Sequence, residues 1–244
     1  MHNYNSLQIK KLTMNETILN TTDDLYKTFD KFRSASRYKF RGQSNLEWKL
    51  VPKAGRFPFK NRNDQELFRQ WKRRAKILLD KEYKTDLDYL TIAQHYGIPT
   101  RLLDWSHSPL VATFFACIDN YENDGVLYAY KPNKLVLPNE INNPFSTKAN
   151  EIIFIQPEAS SNRILNQLGY FSLHNEPKLE LNESNSNPSL ERIIIPKSLK
   201  KEIIFILNQF GVSDLTIFPD IEGLTKYLCW FYENYEFWDG TIKQ

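Results

Sequence analysis

The segment LTIAQHYGIPTRLLDWSHSPLVATFFAC, residues 90–117, gathers most of the chain's candidate chemistry in one connector. A helix runs into His95-Tyr96-Gly97, Pro99 stops it, and a second helix opens at Ser108-Pro109. Between them stand Thr100, Arg101, Asp104, Trp105, Ser106, His107 and Ser108. Gly97 and Pro99 hold this link extended, and Leu102 with Leu103 anchor it so that Thr100, Arg101, Asp104 and Ser106 project towards a cleft. Trp105 offers an aromatic wall for a nicotinamide, an adenine or a base. Ser108 sits where helical N–H groups favour an anion, and reads equally as a plain N-cap. The bland alternative pairs Arg101 with Asp104 and sends Trp105 to the core; charge buried without a good partner is costly.

A second candidate is FRGQ, residues 40–43. Arg41 ends a strand beside Gly42, which lets a ligand approach the backbone, and Gln43 follows. A guanidinium so placed suits a phosphate or a ribose, although Arg-Gly also occurs in ordinary hairpins. A third is RILNQLGYFSLH, 163–174, where Arg163, Gln167 and His174 can reach a shared site while Phe171 packs. No Gly-x-Gly-x-x-Gly, P-loop or zinc-spaced Cys/His set is present. The histidines at 2, 95, 107 and 174 suggest no metal cluster, so no metal is expected. Cys117 and Cys229 fall in apolar helical patterns and read as reduced core residues.

The elements that must carry these groups alternate in type. Residues 21–36 begin with capping residues and space Leu25, Phe29 and Phe32 as an amphipathic helix. Residues 38–41, a turn at 42–45 and EWKLVP (47–52) read as strand, turn, strand. A helix is expected from Asp64 to about Lys81 with Leu67, Trp71, Ile77 and Leu78 inward. Further helices are expected over 86–96 and from Ser108-Pro109 to about Asp119. GVLYAYKP (125–132), NEIIFIQP (150–157) and LERIIIP (190–196) read as strands, and 163–174 as a turn or short helix followed by a strand. Residues 175–189 form a polar loop, 197–211 a helix closed by Gly211, and 223–238 an aromatic helix whose Tyr227, Trp230, Phe231, Tyr235 and Trp238 belong to the core. This order predicts one α+β domain over 1–244, a mixed β-sheet core with flanking helices.

At 244 residues, 41% hydrophobic and 14% aromatic, the chain can bury a proper core. Mean hydropathy is −0.54. With no apolar run near the ~18 residues of a membrane span, no membrane role is expected. The opening residues lack the apolar stretch of a signal peptide, which with the reduced cysteines predicts a cytoplasmic location. The net charge of +3 conceals an asymmetry: residues 31–76 hold fifteen Lys or Arg against three acids. Such a block attracts phosphates of a nucleotide or of nucleic acid, or is a solvated face balanced by the acidic remainder.

FRGQSNLEWKLVPKAGR together with AQHYGIPTRLLDWSHSPLVATFFA resembles the FRG domain, over roughly 22–130 and more thinly through 150–240. That resemblance implies a bacterial or phage setting, toxin–antitoxin or antiphage loci, and an antitoxin or chaperone partner. More remotely the layout is similar to ADP-ribosyltransferases, whose early Arg-Gly contacts NAD, whose later serine strand leads into a helix, and whose third strand supplies a glutamate. The resemblance places Arg41-Gly42 in the first role, and Ser106 or Ser108 with Ala112 and Phe115 in the second. Glu151, Glu158 or Gln167 would fill the third. It implies NAD as co-substrate: Arg41 and Arg101 on phosphates or ribose, Trp105 and Tyr96 as ring wall, and Asp104 or Glu151 as the negative charge. Gly42, Gln43, His95, Thr100, Ser108 and Gln167 complete the expected binding set. The acceptor would be RNA, DNA or protein. A non-catalytic nucleic-acid or nucleotide-binding module, and a metal-independent nuclease using His95 or His107, are the other readings.

Overall fold

The computed structural model describes residues 16–33, 36–146, 148, 150–157, 165–182, 185–186 and 190–235. Strands β1 (Glu16–Ile18), β2 (Lys39–Gln43), β3 (Leu102–Ser106), β4 (Gly125–Tyr130), β5 (Ile152–Ile155), β6 (Gly169–His174) and β7 (Glu191–Ile195) build one seven-stranded sheet. Its order is β1-β7-β4-β2-β3-β6-β5, with β1 parallel to β7 and every other neighbour antiparallel. Helices are α1 (Asp24–Phe32), α2 (Asp64–Ala75), α3 (Asp86–His95), α4 (Pro109–Cys117), α5 (Lys197–Gln209), α6 (Asp214–Ile217) and α7 (Ile221–Asn234). The class is α+β with a mixed sheet and flanking helices, as the alternation of patterns predicts. No helix among the described residues is long and apolar enough to cross a membrane.

Side chains alternate between the two faces of a sheet, and the core divides accordingly. On one face Phe40, Leu127, Ala129, Ile193 and Ile195 pack against α1, α4 and α5. Beside them Leu102, Ile155, Phe171 and Leu173 pack against Phe68 of α2 and Leu87, Leu90 and Ala93 of α3. On the other face Leu103, Trp105, Val126, Tyr128, Tyr130 and Phe154 are covered by loop residues Leu50, Leu181 and Leu190. Helix α4 lies so close to the sheet that a Cβ on Gly42 would stand 1.8 Å from the Ala112 carbonyl oxygen, and one on Gly125 would stand 2.3 Å from that of Ala116. Ser108 caps α4 by accepting from the Val111 N–H, with Pro109 in the first turn. Lys200, wholly buried on α5, gives its Nζ to the carbonyls of Ser44, Asp119 and Asn120 at 2.7–3.0 Å, so each ammonium proton has an acceptor.

Three expectations are corrected. Residues 47–52 are not a strand: β2 is already flanked by β4 and β3, so no edge is left for a hairpin partner. Leu50 instead plugs the loop-covered core. Helix α2 ends at Ala75, because its inward row is Phe68, Trp71 and Ala75; Ile77 and Leu78 lie past that row and are 90% and 80% exposed. Finally, α7 buries only Gly223. Its Tyr227, Trp230, Phe231 and Tyr235 are half-buried and stack on one another, Cys229 is exposed although Cys117 is buried, and Trp238 lies outside the described residues.

A buried polar chain ties the loop-covered face together. Trp105 Nε1 donates to Ser172 Oγ (3.0 Å), Ser172 Oγ lies 3.0 Å from His174 Nε2, and His174 Nδ1 lies 2.7 Å from the Leu179 carbonyl. A neutral imidazole with its proton on Nδ1 satisfies every link. Burial accordingly pulls His174 down from 6.5 to about 4.

Gly42→Ala should lower unfolding free energy by about 3 kcal/mol or more, because backbone cannot give way cheaply; an unchanged denaturant midpoint would contradict the close approach. For His174, the unfolded chain takes up a proton below about 6.5 that the folded chain refuses until about 4. Stability should therefore fall as pH drops through that window, by about 3 kcal/mol in all. Denaturation at stepped pH should show a steeper decline in the parent than in His174→Gln.

Candidate functional site

β2 and β3 are neighbours joined through a single residue pair, Phe40 with Ser106. Beyond it the strands splay apart, while β2 stays zipped to β4 and β3 to β6. Arg41 crosses the opening: Nη1 donates to the main-chain oxygen of Asp104 at 2.7 Å, and Asp104 Oδ2 lies 3.9 Å away. Where the sheet opens, α3, α4, β2, β3 and β6 border a cavity of about 240 Å³. Phe40, Phe115 and Phe171 form its apolar walls, and Arg41, Gln94, His95 and Asp104 its polar ones. Ligand pockets typically run from about 300 Å³ upwards.

The electrostatics are uneven. Arg41 is 15% exposed, and its Nε is enclosed with no hydrogen-bond partner among the described residues. Burial pushes the guanidinium down to about 10; Asp104 pulls the other way, and the nearby Arg56 pushes it down further. Arg56 is itself lowered by burial, against the pull of Asp104, and its Nε is spent on the Val51 carbonyl at 2.7 Å. Two guanidinium groups thus share one carboxylate, a surplus of positive charge that favours an anionic ligand. Asp104 is the exposed member, at 61%, and its Oδ1 accepts from Gln94 Nε2 at 2.7 Å.

Tyr170 is backed by Lys39, whose Nζ sits 4.3 Å from the ring centroid. That ammonium is held by the carbonyls of Ser36, Arg37 and Tyr38, and burial lowers it to about 8. His107 Nδ1 lies 3.4 Å from the same Nζ; burial first and Lys39 second lower the imidazole, which does not line the cavity.

Of the residues singled out in the sequence, the structure brings Arg41, Gly42, His95, Asp104, Ser106 and Gln167 to the cavity. Gly42 is needed there first for the approach of α4. Ser106 Oγ donates to the Gln167 carbonyl (2.7 Å) and accepts from the Ser108 N–H (2.9 Å), so it clasps β3 to the segment before β6.

The others are placed elsewhere. Trp105 borders the cavity, but its indole lies in the opposite layer against Phe154 and Tyr130, because a strand alternates and Asp104 and Ser106 take the cavity side. Arg101 is 6% exposed and pairs with Asp64, not Asp104, through Nε and Nη2, both at 2.8 Å. Its Nη1 donates to the Asn175 carbonyl and its guanidinium covers the Phe145 ring, so each of its three nitrogens is engaged. Gln43 is buried, with Nε2 3.4 Å from the Lys49 carbonyl. Thr100 is buried and bonds to Gln94, Tyr96 is exposed at the end of α3, and Ser108 is the cap of α4. Glu151 lies just before β5 at the sheet edge, with its Oε2 on the Lys148 N–H, because β6 separates β5 from β3. His174 belongs to the opposite layer. Glu158 and Arg163 fall outside the described residues.

Sequence reasoning missed Gln94 and Arg56, although both lie inside the quoted motifs: the contact of Gln94 with Asp104 and the placing of Arg56 near Arg41 are set by the fold and leave no local signal.

A family model described as FRG domain matches residues 36–125, from the turn before β2 to the first residue of β4, and over that stretch the chain is similar to that family. No curated protein and no solved structure matches the chain.

Separating scaffold from site gives a direct test. Asp64→Asn removes the charge partner of an enclosed guanidinium and should cost about 3–5 kcal/mol of stability. A thermal or chemical melt reads this out; a melt like the parent's would show that the Arg101–Asp64 pair is not structural.

Proposed function

We propose that the cavity at the β2–β3 fork binds the nicotinamide-ribose end of NAD, and that the protein transfers ADP-ribose to a macromolecular acceptor. The observation that carries this reading is the enclosed, under-neutralised Arg41, with its orphaned Nε, set beside Asp104, the one carboxylate among the described residues that lines the same cavity. A guanidinium in that state stabilises a ligand phosphate. Asp104 stands where it can face a sugar.

In such a transfer the bond from nicotinamide nitrogen to ribose carbon breaks, nicotinamide leaves with the electron pair, and positive charge develops on the ribose. The acceptor then bonds to that carbon and releases its proton. Asp104 would stabilise the developing charge, Arg41 the diphosphate side, and Phe115 the nicotinamide face. Ser106 and Ser108 support the scaffold rather than the ligand. Glu151, expected as an alternative carboxylate, stands outside the cavity, and among the described residues Asp104 is the carboxylate placed to supply the charge.

The acceptor side is read from charge. Lys60, Arg62, Arg69, Arg73, Arg74 and Lys76 are exposed along and before α2, a surface that suits the phosphates of RNA or DNA. The toxin or antiphage setting, and an antitoxin partner, follow from the FRG resemblance alone.

One observation favours a binding-only module instead: among the described residues no glutamate lines the cavity, and Asp104 is tethered to Gln94. Purified protein incubated with labelled NAD and with RNA, DNA and protein fractions separates the two. Label in a nucleic-acid fraction supports transfer. NAD or nucleic acid bound in a salt-dependent manner with no nicotinamide released supports the module. Where transfer occurs, Asp104→Asn should slow it by about 10²–10³-fold while leaving the fold intact, and a variant as fast as the parent would remove Asp104 from the mechanism.

A further inference from the structure

The tether on Asp104 does more than hold it. Three hydrogen bonds run in series: the Leu102 N–H donates to Thr100 Oγ1 (3.2 Å), Thr100 Oγ1 donates to Gln94 Oε1, and Gln94 Nε2 donates to Asp104 Oδ1 (2.7 Å). The series has a direction. A backbone N–H can only donate, so Thr100 Oγ1 accepts there and its one proton must go elsewhere. Gln94 Oε1 is the acceptor it finds. With Oε1 occupied, the amide nitrogen is the atom that faces Asp104. Thr100 is 2% exposed and shielded from water, which would otherwise release the series from this order.

The opposite arrangement can be written out and compared. If the amide turned over, Oε1 would face Asp104 Oδ1, and two acceptors would meet unless the carboxyl were protonated. Nε2 would then donate to Thr100 Oγ1, which already accepts from Leu102, and the threonine proton would lose its acceptor in a buried place. Leaving a buried polar group unmatched is costly. The direction starting at the Leu102 N–H is therefore the satisfied one.

We infer that Gln94, set by Thr100, is a positioning residue that holds Asp104 by its Oδ1 and so fixes how this carboxylate is presented to the cavity. The inference rests on the reading of Asp104 as the site's charge. It also leaves Oδ2, the oxygen nearer Arg41, as the one turned to a ligand.

The amide itself gives a readout that does not depend on turnover. In nitrogen-15 NMR spectra, one Gln94 Nε2 proton should be shifted and protected from solvent exchange in the parent. It should remain so in Thr100→Ser, which keeps the hydroxyl, and lose protection in Thr100→Val, which keeps the shape but lets the amide turn. Where transfer is measured, Thr100→Val and Gln94→Leu should each lower kcat by about 10²-fold with little change in KM, and Thr100→Ser should stay near the parent. Backbone spectra like the parent's confirm that the variants are folded; Gln94→Leu serves if Thr100→Val is not. Thr100→Val matching Thr100→Ser in both amide protection and kcat would overturn the inference. Amide protection that responds as expected in a protein that turns over no NAD would uphold the series and overturn the transfer reading alone.

Discussion

Everything in the central part of this molecule depends on an incomplete seam. β2 and β3 meet at Phe40 and Ser106 and then part, and a buried guanidinium takes the place of the missing backbone ladder by donating to the Asp104 carbonyl. Backbone oxygens left facing a gap need a donor, and an arginine is long enough to supply one across the opening. The same side chain cannot be fully neutralised there, since Asp104 Oδ2 stands 3.9 Å off and Nε is orphaned. A structural repair and a reactive-looking charge are therefore one and the same residue.

The scaffold keeps that seam open from both sides. Helix α4 is pressed on β2 and β4 through Gly42 and Gly125, and α3 is pressed on β3 and β6 through Leu87, Leu90 and Ala93. The two helices sit on separate core clusters, so the cavity lies on the line between them. Arg101 with Asp64 fixes where β3 begins, and Ser106 with Gln167 fixes where it ends. Each is a polar contact in a place where packing alone would leave the strand free to slide.

How much of this was legible in the sequence depends on range. Helices closed by local signals were: Ser108-Pro109 opens α4, and Gly211, with φ of +75°, follows α5. Strands 125–130 and 191–195 showed as β-branched and aromatic runs. Residues 47–52 carry a similar pattern, yet they became a core-plugging loop, since pairing is decided by which edges remain vacant and no local pattern records that. At the site, Arg41 and Asp104 were visible as residues able to bind. Arg101 looked identical in kind, but its carboxylate partner lies 37 positions upstream on α2. Trp105 was misplaced for a simpler reason: once 102–106 is a strand, period-two alternation sends it to the face opposite Asp104.

The stretch similar to the FRG domain stops at the first residue of β4. Excised at those limits, it would keep β2 and β3 but shed the strands on their outer flanks, stripping cover from Phe40, Leu102 and Leu103. The unit that can fold is thus wider than the unit that can be recognised. One cavity wall, with Gln167 and Phe171, comes from the unrecognised portion. Chains sharing the signature can accordingly differ in what their hollows admit, and a ligand established for one is not inherited by the next.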